Sequence, residues 1–265
     1  MLLSPSVTSL KPLLKWAGGK RWLLPKLLNL WQSNHDCRLV EPFMGSLSVV
    51  LGLRPDRALL NDANVHLVNL YHHLQQGLAV EKKKKNDRNF YYQMRSRFNQ
   101  LTHLGKSNTT EAAQIFYYLN RTGFNGLCRF NNSGEFNVPF GTYKTINYLT
   151  DLSDYQVALK GWEITVGDFE DLKLEQDDFI YADPPYDVQF TKYSQDDFTW
   201  DDQVRLIRWL AKHPGKVVLS NQATERIVDL YQNYGFTIDT VDAPRRISCN
   251  GDRRPAKEVI ACKGF

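Results

Sequence analysis

The sequence predicts an α/β protein of the nucleotide-binding kind, and three observations carry that expectation. Short apolar runs each end in an acid: Leu39-Val40 leads to Glu41, Ala58-Leu59-Leu60 to Asn61-Asp62, Ile164-Thr165-Val166 to Gly167-Asp168, and Phe179-Ile180-Tyr181-Ala182 to Asp183. Helix-like segments follow the first two runs, so strand, tight loop and helix repeat along the chain. Finally, Asp183-Pro184-Pro185-Tyr186 stops a strand with consecutive prolines, which cannot continue a sheet ladder, so the chain must leave the sheet at Asp183. Open α/β sheets bind ligands at the carboxyl ends of their strands, where these acids fall.

Composition bounds the rest. The 265 residues, 42% of them hydrophobic, admit one large domain or two small ones with a real core. Met1-Leu2-Leu3 is followed at once by Ser4-Pro5, and no apolar run is long enough to span a bilayer, so a cytoplasmic protein with no membrane association is expected. Cys37, Cys128, Cys249 and Cys262 are far apart, which suggests reduced thiols with neither a metal site nor a disulfide framework. A net charge of +4 permits nucleic-acid binding without demanding it.

In chain order, Leu14-Lys15-Trp16-Ala17-Gly18-Gly19-Lys20 sets two glycines between lysines before a helix-like segment from Trp22 to Trp31. It lacks the first glycine and the Ser or Thr of a P-loop. Glu41-Pro42-Phe43-Met44-Gly45-Ser46-Leu47-Ser48 is a strand end and glycine turn. Asp62 follows about twenty residues later at the second strand's end, placed to accept hydrogen bonds from ribose hydroxyls, and a helix carrying Leu67, Tyr71, Leu74 and Leu78 comes next. Lys82 to Lys85 is most simply a solvated loop. Helices are expected over Arg88 to Leu101 and Glu111 to Leu119, the packing elements of a small insertion.

From Asn120 to Lys144 the chain is rich in Asn, Gly, Arg and Phe and is punctuated by turn residues, which predicts an exposed β-hairpin. Arg suits guanine, Asn suits adenine, and Phe or Leu can contact a thymine methyl or wedge into a base stack. Thr199 should cap a helix with Trp200, Val204, Ile207 and Ala211 on its buried face, and Lys216 to Asn221 reads as a strand. Ala223 to Tyr234 reads as a helix, with strand pieces around Phe236 to Val241 and Lys257 to Cys262. Between these pieces Arg245, Arg246, Arg253, Arg254 and Lys257 concentrate positive charge suited to phosphates.

These motifs resemble, in identity and order, the Dam-type DNA adenine-N6 methyltransferases. Leu14 to Lys20 matches that family's amino-terminal motif, Glu41 to Gly45 its cofactor loop, Asn120 to Tyr143 its DNA-reading hairpin, Asp183-Pro184-Pro185-Tyr186 its catalytic motif, and Arg246-Ile247-Ser248-Cys249-Asn250-Gly251 its carboxyl-terminal motif. The resemblance implies a Rossmann-like S-adenosylmethionine-dependent sheet, residues 1–70 and 158–265, interrupted by a mainly helical target-recognition domain, 71–157, that carries the hairpin. It implies S-adenosylmethionine held by Trp16, Lys20, Phe43, Gly45, Asp62, Asp168, Phe169 and Asp183. Double-stranded DNA would be contacted by Lys15, Arg121, Phe124, Asn125, Leu127, Arg129, Asn137, Pro139, Arg246 and Asn250. GATC is the implied target, nucleoid association the implied location, and no obligatory protein partner is expected. The chain departs from the family in two places: Ser46-Leu47 replaces the usual second glycine of the cofactor loop, and the loop from Asp187 to Asp197 is short.

The chemistry supports the same roles. Adenine N6 is a poor nucleophile, so acceptors on its hydrogens, the Asp183 carboxylate and the Pro184 carbonyl, would draw it toward tetrahedral geometry. Tyr186 would stack on the base once it is flipped from the duplex. Two other readings stay open from sequence: an RNA or protein-amide methyltransferase with a related Pro-Pro-Tyr pocket, and a DNA-binding module without catalysis.

Overall fold

The computed structural model describes residues 10–81, 86–187, 198–244 and 256–265. The expectations for Lys82 to Lys85, for the loop beyond Asp187, and for Arg245, Arg246, Cys249, Asn250, Arg253 and Arg254 lie outside those residues. Among the described residues no helix is long and apolar enough to cross a membrane.

Strands β1 (Leu39–Glu41), β2 (Ala58–Asp62), β3 (Glu163–Val166), β4 (Phe179–Ala182), β5 (Lys216–Gln222), β6 (Thr237–Ala243) and β7 (Ala256–Lys263) form one sheet in the order β3-β2-β1-β4-β5-β7-β6. The five strands from β3 to β5 run parallel, and β7 lies antiparallel between β5 and β6. β1 and β4 are buried throughout, which explains their continuous apolar runs. The order reverses between β1 and β4, the crevice where open sheets hold ligands. The α/β class expected from sequence is the one observed.

Helices α1 (Leu24–Trp31), α2 (Val50–Leu53), α3 (Val65–Gln75), α7 (Trp200–Lys212) and α8 (Glu225–Asn233) accompany the sheet; α4 (Arg88–His103), α5 (Thr110–Thr122) and α6 (Ser153–Leu159) lie between β2 and β3 in sequence. Thr199 caps α7 as expected, closing a reciprocal capping box with Asp202. One hydrophobic cluster runs from the sheet through α3 into α4 and α5, and a second lies under α7 and α8. The sequence boundary at residues 70 and 71 therefore falls inside α3, a helix whose buried Leu70, Tyr71 and Leu74 belong to the first cluster.

The expected hairpin is present in irregular form and is not wholly exposed. Asn120, Arg121 and Thr122 end α5; beyond them two antiparallel limbs meet at the bridges Gly123 with Phe140 and Phe130 with Phe136, joined by backbone bonds from Phe124 to Pro139 and from Asn137 to Arg129 at 2.8 and 3.1 Å. The outward-facing backbone groups of one limb bond to α4. Asn99 of α4 bonds both the amide and the carbonyl of Phe136, at 2.9 and 3.2 Å, while Tyr91 and Arg95 donate to the Val138 carbonyl at 2.9 and 3.1 Å. Phe136 and Val138 are buried, so this stretch is fastened to a helix and forms a turn-rich arm.

The Asp178 carboxylate, wholly buried ahead of β4, accepts from Arg38 Nε and Nη2 at 2.9 and 2.8 Å and from the Glu175 amide at 2.7 Å. This pins the starts of β1 and β4 together. Arg38→Met leaves a buried charge unpaired, and a thermal melt should report a loss of about 3 kcal/mol. Leu47 occupies the left-handed region with φ 60° in the tight loop after β1, and it is buried. Strain there costs about 1 to 2 kcal/mol, less than a buried leucine contributes, so Leu47→Gly should be destabilised by about 2 kcal/mol in the same assay.

Candidate active site

The acid that closes β4 meets a buried cation. Lys20 is 3% exposed; its Nζ donates to the Gly18 carbonyl at 2.8 Å and lies 2.9 Å from Asp183 Oδ2 and 3.9 Å from Glu258 Oε2. It also sits 4.7 Å from the centre of the Tyr186 ring. The Tyr186 hydroxyl donates to Glu258 Oε2 at 2.7 Å; burial first, then the charges of Asp183 and Glu258, drive its pKa far upward, so it remains a phenol. The other Asp183 oxygen, Oδ1, accepts from Ser220 Oγ at 2.8 Å.

The segment after Asp183 is anchored from three sides. Gln203 Nε2 donates to the Pro185 carbonyl at 2.8 Å, the Asp187 amide bonds Asn221 Oδ1 at 3.4 Å, and the Asp187 carboxylate pairs with Arg226. Asn221 ties this set together by donating to Gln203 Oε1 and to the Tyr231 hydroxyl, at 3.0 and 2.8 Å.

On the neighbouring side, Asp62 accepts from the amides of Gly45 and Asn64 at 3.1 and 2.9 Å; its burial raises its pKa against those two hydrogen bonds. The Gly45 carbonyl accepts from Tyr71 at 3.0 Å. Gly45 has φ +45°, and a Cβ there would fall 3.0 Å from Trp16 Nε1, so the loop can lie this close to Trp16 only as glycine. Glu41 is 2% exposed, its pKa is driven well up by burial, and its Oε1 has no hydrogen-bond partner among the described residues. The rings of Phe43 and Phe169 stand 5.7 Å apart, with Phe198 5.6 Å from Phe43. Asp168, beside them, is held by both terminal nitrogens of Arg205 at 2.8 Å, and this pairing keeps its carboxyl below the usual range.

The structure joins the amino-terminal motif to the arm. Lys15 exchanges backbone hydrogen bonds with the Asn120 side chain at 2.9 and 2.8 Å, and a Cβ on Gly126 would fall 2.2 Å from that of Lys15. Lys15 Nζ lies 3.7 Å from the Tyr143 ring centre; burial and nearby Arg121 pull its pKa down to about 8. Phe124 is 46% exposed; Asn125, with φ 52°, Arg129 and Pro139 are exposed, and Leu127 and Asn137 are half-buried. Arg129 Nε donates to Asn137 Oδ1 at 2.6 Å. Arg121 differs from the other expected DNA contacts described: it is buried, donating to the carbonyls of Asn147 and Leu13 at 2.6 and 3.2 Å. Arg246 and Asn250 lie outside the described residues.

Sequence reasoning passed over Glu41, Ser220 and Glu258 as site residues. Their signal was available in part, since a polar group inside an otherwise apolar strand is costly to bury without a partner. Nothing in the sequence indicated that Arg205 would take up Asp168.

Residues 16–247 match the family of D12 class N6 adenine-specific DNA methyltransferases. The DNA adenine methylase of Haemophilus influenzae is 34% identical over 292 residues, covering 99% of both chains. The type II methyltransferase M1.LlaDCHI of Lactococcus lactis subsp. cremoris is 33% identical over 265 residues, covering 92% of both. The DNA N-6-adenine-methyltransferase of Escherichia phage P1 is 33% identical over 270 residues, 95% of this chain and 35% of that protein. With acids gathered at the strand ends and a family match spanning most of its length, the chain belongs to the D12 class of N6 adenine-specific DNA methyltransferases, and its methyl donor is S-adenosylmethionine.

Proposed function

We propose that this enzyme methylates an adenine flipped out of duplex DNA at GATC, with Asp183 and the Pro184 carbonyl as the acceptors that activate N6. The observation that carries this reading is the Asp183 carboxylate, fixed 2.9 Å from Lys20 and beside Tyr186 at the crevice of the sheet. The short run from Lys15 to Lys20 ties that carboxylate to the arm, whose exposed Asn125, Arg129 and Phe124 have the chemistry to read and wedge DNA.

The residues present fit S-adenosylmethionine. Gly45 lets the turn lie directly against the Trp16 ring, and Asp62 keeps lone pairs for a ribose diol beyond its two amide bonds. Asp183 and Glu258 both lie beside Lys20, two carboxylates to one ammonium, so the site suits a ligand bearing positive charge. Trp16, Lys20, Phe43, Gly45, Asp62, Phe169 and Asp183 are the residues we assign to holding it. Asp168 would join through its backbone, its carboxylate being occupied by Arg205. When bound, the group supplies an electrophilic methyl carbon.

The protein's part is alignment and charge. Asp183 and the Pro184 carbonyl each accept one N6 hydrogen, which localises the nitrogen lone pair and stabilises the positive charge that grows on it. Gln203 holds the adjoining Pro185 carbonyl, so the acceptors are set in place before the base arrives. Tyr186, kept upright by Glu258, offers its ring as a stacking face for the flipped base. Arg121 belongs to the frame of the arm in this reading, leaving Lys15, Phe124, Asn125, Leu127, Arg129, Asn137 and Pro139 toward DNA, with Arg246 and Asn250 on the basic loop. The recognition unit begins after α3, since that helix packs with both sheet and insertion. Association with the nucleoid follows from DNA binding in this reading.

Methyl transfer from labelled cofactor should reach a GATC duplex and not one with the site scrambled, and Asp183→Ala should lower kcat at least about 100-fold; equal labelling of both duplexes rejects the specificity, and an active Asp183→Ala rejects the mechanism. Lys15 is charged below about 8 and loses that charge above it, so duplex affinity at constant salt should fall as pH rises through about 8. Lys15→Met should flatten that dependence in an anisotropy titration.

A further inference from the structure

We propose that Ser220 and Tyr181 form a hydroxyl relay that orients the Asp183 carboxylate for catalysis, making both of them positioning residues. The inference rests on the proposed role of Asp183 as an N6 acceptor and extends it to two side chains that do not touch the substrate.

The geometry dictates the direction of the chain. Ser220 Oγ lies 2.8 Å from Asp183 Oδ1 and 3.0 Å from the Tyr181 hydroxyl. An ionised carboxylate only accepts, so the single Ser220 proton points at Asp183, and Tyr181 must donate to Ser220. Tyr181, 2% exposed on β4, cannot release its proton: burial, then the nearby charge of Asp183, holds its pKa well above the usual value. Ser220 is wholly buried on β5, whose ladder with β4 sets Ala182 against Leu219, so the hydroxyl and the carboxylate are registered by the sheet itself.

The consequence is a carboxylate fixed at both oxygens, Oδ1 by Ser220 and Oδ2 by Lys20. Each oxygen then has one acceptor direction left, and the plane of the group is set before an amine approaches. Without Ser220, Lys20 would hold one oxygen and the carboxylate could turn about χ2. Reaction by displacement depends on alignment more than on affinity, so the loss should fall on kcat.

The test uses the full chain with labelled cofactor and GATC duplex. Ser220→Ala should lower kcat about 10- to 100-fold with cofactor Kd and duplex KM little changed, Ser220→Thr should restore most of it, and Tyr181→Phe should cost less than Ser220→Ala. Because Tyr181 acts through Ser220, the double variant should be no slower than Ser220→Ala alone. Near-normal kcat in Ser220→Ala, or multiplying effects of the two substitutions, overturns the relay. If Ser220→Ala does not fold, Tyr181→Phe carries the same decision: a lowered kcat with cofactor Kd and duplex KM unchanged supports the relay, and a normal kcat overturns it. Asp183→Ala run alongside separates the two readings: if it remains active, the role of Asp183 itself is wrong, whereas an inactive Asp183→Ala with an unimpaired Ser220→Ala removes only the relay.

Discussion

A single ammonium group organises this site. Lys20 is almost wholly buried, and a buried charge is tolerated only when it is paired and hydrogen-bonded. It donates to the Gly18 carbonyl, lies 2.9 Å from the Asp183 carboxylate, and pairs with the Glu258 carboxylate across 3.9 Å. Satisfying Lys20 therefore fixes three separate parts of the chain at once: the glycine turn, the end of β4 and the Glu258 position of β7. The Tyr186 ring lies against the same ammonium and its hydroxyl against the same glutamate. The four groups are mutually dependent, and together they hold the acid that the proposed chemistry uses.

The proline pair adds a constraint of a different kind. Pro184 and Pro185 have no amide hydrogen, so neither can be fixed by donating to a neighbouring strand. Their position has to come from their carbonyls and from the residues that succeed them in the chain. Gln203 takes the Pro185 carbonyl, Asn221 takes the Asp187 amide, and Arg226 pairs with the Asp187 carboxylate, drawing on α7, β5 and α8. A buried Asn–Gln–Tyr network on the far side of the loop is what makes a donor-poor segment stiff.

The legibility of the sequence follows from the range of the forces involved. β4 could be read to the residue, because an apolar run closed by Asp183 and two prolines leaves no other boundary. The Thr199 cap was equally local. The antiparallel arm was legible because its alternation of Phe136 and Val138 with polar residues suits a strand, but its burial against α4 was not, since the partners Asn99, Tyr91 and Arg95 lie on a helix distant in sequence. Arg121 carried the composition of a DNA reader, yet its contacts with Leu13 and Asn147 are far away in sequence. Ser220 and Glu258 were passed over for the same reason: each acquires its meaning from a partner 37 or 72 residues away.

The proposed division between an arm that reads DNA and a sheet that transfers the methyl group needs the two held in register, and α3 supplies the joint. Asp62, at the end of β2, bonds the Asn64 amide, and Asn64 caps α3 while its Nδ2 reaches Cys128 Sγ in the arm at 3.7 Å. Further along α3, His66 stacks on Phe130 of the arm with centroids 5.1 Å apart, packed also against Phe98. Burial pulls the His66 pKa down to about 4, so the ring is neutral and behaves as an aromatic packing group. The arm root and Asp62, the acid beside the Gly45 turn, are thus separated by a short length of backbone and a helix cap. An arm rooted this way cannot shift against Asp62 without breaking the cap or the His66 stack, so the arm and the Gly45 turn are positioned by the same few contacts.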